Sequence, residues 1–260
     1  MSSGNQKNVK PARQMDSFAR MNSDPAAALN PAIGAIPRSG AVWLGLRPFE
    51  VWVMSLASVL VLLLSYRGWW SISVTEAWGF VTGGICVWLV VREHLWNWPI
   101  GLANNVAFFA LFLHGRLFAD MGLQVIYFGL GVYGWLNWLF GGDNRTVLKI
   151  TRTTRDEWLV LAAAIPFCTW GVREILLVVN GAAPFWDSLT TVLSLAAQYL
   201  LCRKRLENWF FWILADIIYI PLYLNRHLPL TAVLYAVFLA MCLVGVRAWS
   251  RSMRKGAATP

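Results

Sequence analysis

One apolar segment occurs twice in this chain: the run that opens Asn97-Trp98 returns, without a gap, at Asn208-Trp209, 111 residues later. At that offset Arg92 falls on Arg203, Leu95 on Leu206, Leu111 on Leu222, Leu117 on Leu228, Gly134 on Gly245 and Trp138 on Trp249. Leucines align by chance in apolar sequence, so the Asn-Trp, Gly and Trp matches carry the weight. A duplicated apolar bundle constrains the fold to two similar halves that face one another, and it is the pattern of a transporter whose path runs between them.

The medium in which such a chain folds follows from its surface. With 58% hydrophobic residues, 13% charged residues and 16 Trp among 260 residues, there is too little polar surface for a soluble domain. A hydrocarbon core about 30 Å thick needs about 20 apolar residues per helix. Eight stretches come near that length: 50–66, 75–92, 97–114, 118–140, 157–179, 185–202, 208–225 and 229–249. The expectation is an all-α membrane protein with eight transmembrane helices.

The net charge of +9 points to topology rather than to nucleic acid, because the basic residues alternate between loops. Lys7, Lys10, Arg13, Arg20, Arg38, Arg47, Arg92, Arg145, Lys149, Arg152, Arg155, Arg203, Lys204, Arg205, Arg247, Arg251, Arg254 and Lys255 all fall on one side of that arrangement. The positive-inside rule then places both termini in the cytoplasm of a multi-pass protein. Residues 1–49 are polar and lack an apolar leader segment, which reads as a cytoplasmic tail. The cysteines Cys86, Cys168, Cys202 and Cys242 are isolated in apolar segments, so they read as small buried hydrophobes, with no metal site and no cofactor.

Three helices make each copy, residues 75–140 and 185–249, with one linker helix at 157–179 between them and an additional helix at 50–66 before them. Residues 250–260 read as a short cytoplasmic tail. An odd number of crossings would invert the second bundle; the linker helix restores its direction, giving a 3+1+3 plan with parallel bundles.

The middle helix of each bundle carries polar residues that hydrocarbon would otherwise exclude. Asn208, Trp212, Asp216, Tyr219 and Tyr223 share one helical face, and the first copy answers with Asn97, Gly101, Asn104, Asn105 and Phe108. Asn105 aligns with Asp216, each eight residues into its helix and so about 12 Å deep. A carboxylate at that depth costs at least about 2.5 kcal/mol unless it meets water, a partner or a ligand. Asn104, Asn105, Gln198, Asp216 and Tyr219 are therefore the candidate substrate contacts, with Trp212 and Tyr199 as stacking surfaces. Asn97 and Asn208 stand at a mouth, where a gate and an ordinary helix cap both suit them, while Trp98 and Trp209 read as interfacial belt.

The runs WNWPIGLANNVAFFALFLHGRLFADMGLQVIYFGLGVYGWLNW and NWFFWILADIIYIPLYLNRHLPLTAVLYAVFLAMCLVGVRAW resemble the PnuC family of bacterial vitamin transporters, over about residues 50 to 250. The resemblance implies a fold like that of the SWEET sugar transporters, a homotrimer in the bacterial inner membrane, and a small-molecule vitamin as partner. It also implies nicotinamide riboside as substrate, carried by facilitated diffusion and trapped by phosphorylation in the cytoplasm. Nicotinamide riboside is a flat cation with hydroxyls and a carboxamide, which suits aromatic faces, a carboxylate and amide side chains. Thiamine is also a flat cation, and a proton-coupled carrier using Asp216 is the rival mechanism. An intramembrane enzyme is the remote alternative, since Asp216 has no matching acid on the opposite bundle.

Overall fold

The structure, a computed structural model, describes residues 48–67, 74–114, 118–180, 183–225 and 229–257. Eight α-helices form among them: α1 (Pro48–Tyr66), α2 (Val74–Val91), α3 (Asn97–His114), α4 (Phe118–Phe140), α5 (Arg155–Val178), α6 (Pro184–Cys202), α7 (Asn208–Asn225) and α8 (Pro229–Ala257). The described residues contain no strand, and the chain is all-helical. The expected polar tail, apart from Pro48 and Phe49 at the start of α1, lies outside the described residues.

Local chemistry sets the helix ends. Thr154 caps α5 through its hydroxyl while Glu157 reaches back to the Thr154 N–H at 2.9 Å, a reciprocal pair that satisfies two free donors. Pro184 opens α6 at a position where no donor is lost. α2 and α6 close alike. Glu93 and Lys204 adopt left-handed backbone, φ 56° and 53°, and the next N–H reaches back five residues, His94 to Leu89 at 2.8 Å and Arg205 to Leu200 at 2.9 Å. The largest departure from the expected plan is that α8 runs to Ala257 rather than stopping at 249, because Arg251, Met253, Arg254, Lys255 and Ala257, in the stretch read as tail, are good helix formers.

Within the first copy α2 packs on α3 and α3 on α4; within the second, α6 packs on α7 and α7 on α8. The copies meet through α4 against α6 and α2 against α8, while α5 lies on α6 and α1 on α2. The outer surfaces stay apolar: Trp52, Leu56, Leu60 and Leu63 are exposed on α1, and Leu159, Phe167, Trp170 and Ile175 on α5. In water such faces would be a large hydrophobic penalty; in hydrocarbon they are the solvent-facing side.

The core at one end of the bundle is built of four tryptophans, Trp98, Trp138, Trp209 and Trp249, each at most 3% exposed. Trp98 packs edge-on against Trp138 at 5.4 Å, and Trp209 against Trp249 at 5.5 Å. These buried rings correct the interfacial-belt expectation for Trp98 and Trp209. The reason is Gly134 and Gly245, whose missing side chains leave the space that Trp98 and Trp209 fill. Trp138 donates its indole N–H to the Leu201 carbonyl and Trp249 to the Val90 carbonyl, both at 2.9 Å, so each copy holds the other in the same way.

The segment between α4 and α5 is strapped to the turn between α6 and α7. Thr151 pairs with the Arg205 backbone through Leu206 N–H to Thr151 O at 3.0 Å. Arg203 and Arg205 lie 2.7 and 3.0 Å from the Glu157 carboxylate, and Glu207 accepts from the Thr153 N–H at 2.8 Å.

Candidate substrate cavity

A cavity of about 450 Å³ lies where α2, α3, α4, α6, α7 and α8 converge; among the described residues, α1 and α5 contribute nothing to its wall. That size accommodates a nucleoside-sized molecule. Asn97, Trp98 and Trp209 line one end. Toward the other, Tyr219 and Tyr235 stand 4.6 Å apart, Tyr223 stacks on Tyr235 at 5.1 Å and 14°, and Phe238 meets Tyr235 edge-on.

Asp216 sits midway along α7 in this wall and is 4% exposed. Its carboxylate has one hydrogen-bond partner among the described residues, the Cys242 thiol, with Sγ 3.7 Å from Oδ2, and no basic side chain faces it there. A thiol is a weak donor. The carboxylate is thus a buried acceptor that the described residues leave largely unanswered, and a cation or a strong donor entering the cavity would answer it.

The first copy faces it with amides. Asn104 and Asn105 both line the cavity, and the Thr82 hydroxyl, 2.8 Å from the Trp78 carbonyl, lies 3.0 Å from Asn104 Oδ1. Gln198 and Ser194, one turn apart on α6, line it too, as does Trp212 on α7. Ser194 lies against the Tyr127 and Tyr219 hydroxyls, so α4, α6 and α7 meet in a ring of neutral donors and acceptors.

Of the residues singled out in the sequence, Asn97, Asn104, Asn105, Gln198, Trp212, Asp216 and Tyr219 all line the cavity, whereas Tyr199 and Asn208 do not. Tyr199 follows Gln198 by one residue, a turn of about 100° on the helix. It therefore packs into the cluster of Leu161, Leu193 and Phe211 between α5, α6 and α7. Asn208 is fully buried and donates its amide to the Arg205 carbonyl, as Asn97 does to the His94 carbonyl at 2.8 Å. Both asparagines fasten a helix start to the preceding turn. Sequence reasoning passed over Cys86, Ser194 and Cys242; the signal available for Cys242 was its place on the apolar helix that must pack beside Asp216.

A family model described as nicotinamide mononucleotide transporter matches residues 73–251, which takes in α2 to α7, α8 as far as Arg251 and every residue of the cavity. The chain belongs to this family. Among its relatives is the nicotinamide riboside transporter PnuC of Escherichia coli (strain K12), 27% identical over 233 residues, covering 77% of this chain and 95% of that protein. The riboflavin/roseoflavin transporter RibM of Streptomyces davaonensis is 27% identical over 176 residues, 66% of this chain and 82% of its own length. A solved structure, that of the vitamin B3 transporter PnuC, superposes with a TM-score of 0.61 at 23% identity over 81% of this chain and 94% of the other, and shows a shared fold. As a member of the nicotinamide mononucleotide transporter family the chain is a membrane protein, and a transporter.

Proposed function

We propose that this transporter carries nicotinamide riboside into the cell by facilitated diffusion, binding it in the cavity between the two copies. The observation that carries this reading is Asp216: a buried carboxylate without a basic partner among the described residues, in a cavity walled by aromatic rings and amides. The pyridinium of nicotinamide riboside brings the missing positive charge, and Trp212 and Tyr219 offer faces for it to stack on. Asn104, Asn105 and Gln198 hydrogen-bond the ribose hydroxyls and carboxamide, groups that both donate and accept. Relatives named as nicotinamide riboside transporters support the same substrate.

The arrangement is a SWEET-like 3+1+3 plan in which α2–α4 and α6–α8 are parallel bundles joined by α5, preceded by α1. Contacts of α4 with α6 and of α2 with α8 support it, since each contact is the other's counterpart under the repeat. The protein is a homotrimer in the inner membrane with both termini in the cytoplasm, where phosphorylation of the entering vitamin prevents its return. It binds no cofactor and catalyses no reaction.

Uptake of radiolabelled nicotinamide riboside into liposomes carrying the protein, with and without a pH gradient, tests the mechanism. Equilibration to equal concentrations under both conditions is expected. Accumulation that depends on the gradient would instead make Asp216 a proton carrier, and uptake of riboflavin alone would align the chain with its RibM relative.

A further inference from the structure

The outer face of α8 changes character once, and abruptly. Cys242, Val246, Trp249 and Met253 pack into the core, and at 3.6 residues per turn the opposite face carries Val233, Val237, Ala240 and Val244, followed by Arg247, Arg251 and Arg254. Both groups are exposed. An apolar face that becomes basic within one turn marks the boundary between hydrocarbon and headgroups. From Arg247 to Arg254 the helix rises about 10 Å, a span comparable to the headgroup layer.

These arginines differ from the cations at the turn between α6 and α7 and from the Arg152 strapped to it. Arg152, Arg203, Lys204 and Arg205 are each paired with a glutamate. Arg247, Arg251 and Arg254 make no ion pair among the described residues. Nor does the first copy share the stripe, since Leu136 and Phe140 stand 111 residues before Arg247 and Arg251.

We propose that this stripe is a binding surface for the phosphodiester headgroup of an anionic phospholipid. The charge complements the phosphate, guanidinium forks match its paired oxygens, and the apolar residues below supply a bed for the acyl chains. A lipid fits better than a free anion because the stripe continues an acyl-facing surface of the same helix.

The test is the thermal stability of the full-length purified protein in detergent as phosphatidylglycerol, phosphatidylcholine or inorganic phosphate is added. Phosphatidylglycerol is expected to raise the melting temperature well above the effect of phosphatidylcholine. The R247Q/R251Q/R254Q variant is expected to lose most of that rise while matching the native chain in phosphatidylcholine, and R251Q alone to lose part of it. An equal response to both lipids, an undiminished response in the Gln variants, or the same rise with inorganic phosphate would overturn the assignment.

Discussion

Glu93 and Lys204 hold the same place in the two copies, each the left-handed residue after a helix, and they meet each other across the interface, Oε2 to Nζ 2.9 Å. Lys204 is the more enclosed partner: its ammonium also donates to the Leu148 carbonyl at 3.0 Å and lies 4.7 Å from the Trp138 ring. Removing the carboxylate leaves a charge with no route to water, whereas removing the ammonium leaves a glutamate that is 27% exposed. Glu93→Gln is therefore expected to destabilise by about 3 kcal/mol and Lys204→Met by distinctly less. Denaturation midpoints of the two variants check this; the reverse order would contradict it.

A methyl group at Gly134 would overlap the Trp98 ring, and one at Gly245 the Trp209 ring. Each ring is held by neighbours on its other side, so neither can withdraw. Gly134→Ala and Gly245→Ala should each cost about 1–3 kcal/mol through overpacking. Gly129, within the same helix as Gly134 but with nothing within 4 Å of an added Cβ, is the control. Gly129→Ala should be neutral or gain up to about 1 kcal/mol from helix propensity. Melting temperatures of the three variants give the comparison.

Burial pushes the Glu207 carboxyl up, but the Thr153 N–H and hydroxyl and the Arg152 guanidinium outweigh burial and hold it below its ordinary value. A carboxylate depressed in the folded state contributes stability above its ordinary value and loses that contribution as the pH falls through the lower, folded one. The melting temperature of the native chain should thus fall on acidification below about pH 4.5, and Glu207→Gln should flatten part of that fall while lowering stability at neutral pH. Superimposable acid limbs for the two proteins would show that Glu207 does not take part.

Neighbours on α6 separate the cavity from the packing behind it. Gln198 lines the cavity and Tyr199 does not. Gln198→Ala is expected to weaken nicotinamide riboside binding about tenfold, the loss of roughly one well-placed hydrogen bond. Tyr199→Phe should leave the affinity unchanged. Calorimetric titration of both variants checks the assignment of faces.

Much of this was legible in the chain itself. Hydropathy located the helices, since apolar length alone marks a spanning segment, and the two Asn-Trp openings marked the starts of α3 and α7. Period 3.6 put Trp212, Asp216 and Tyr219 on one face of α7, and all three line the cavity. What periodicity does not carry is which face of a neighbouring helix turns toward that stripe. Tyr199, an aromatic beside Gln198, has the chemistry of a stacking surface, yet the packing of α6 on α5 and α7 turns it away from the cavity, where Ser194 stands instead. Trp98 and Trp209, which in sequence have the pattern of belt residues, are buried. Their burial depends on glycines more than thirty residues further along the chain, a contact made only in three dimensions.

The most direct measurement is calorimetric binding of nicotinamide riboside to the purified protein, native and Asp216→Asn, with thiamine and riboflavin as competitors. The expected result is selective binding of nicotinamide riboside that weakens tenfold or more in Asp216→Asn, about 1.4 kcal/mol or above, since the variant keeps the shape and removes the charge. Equal affinity for native and variant would contradict the counter-charge role of Asp216, and preferential binding of riboflavin would contradict the substrate.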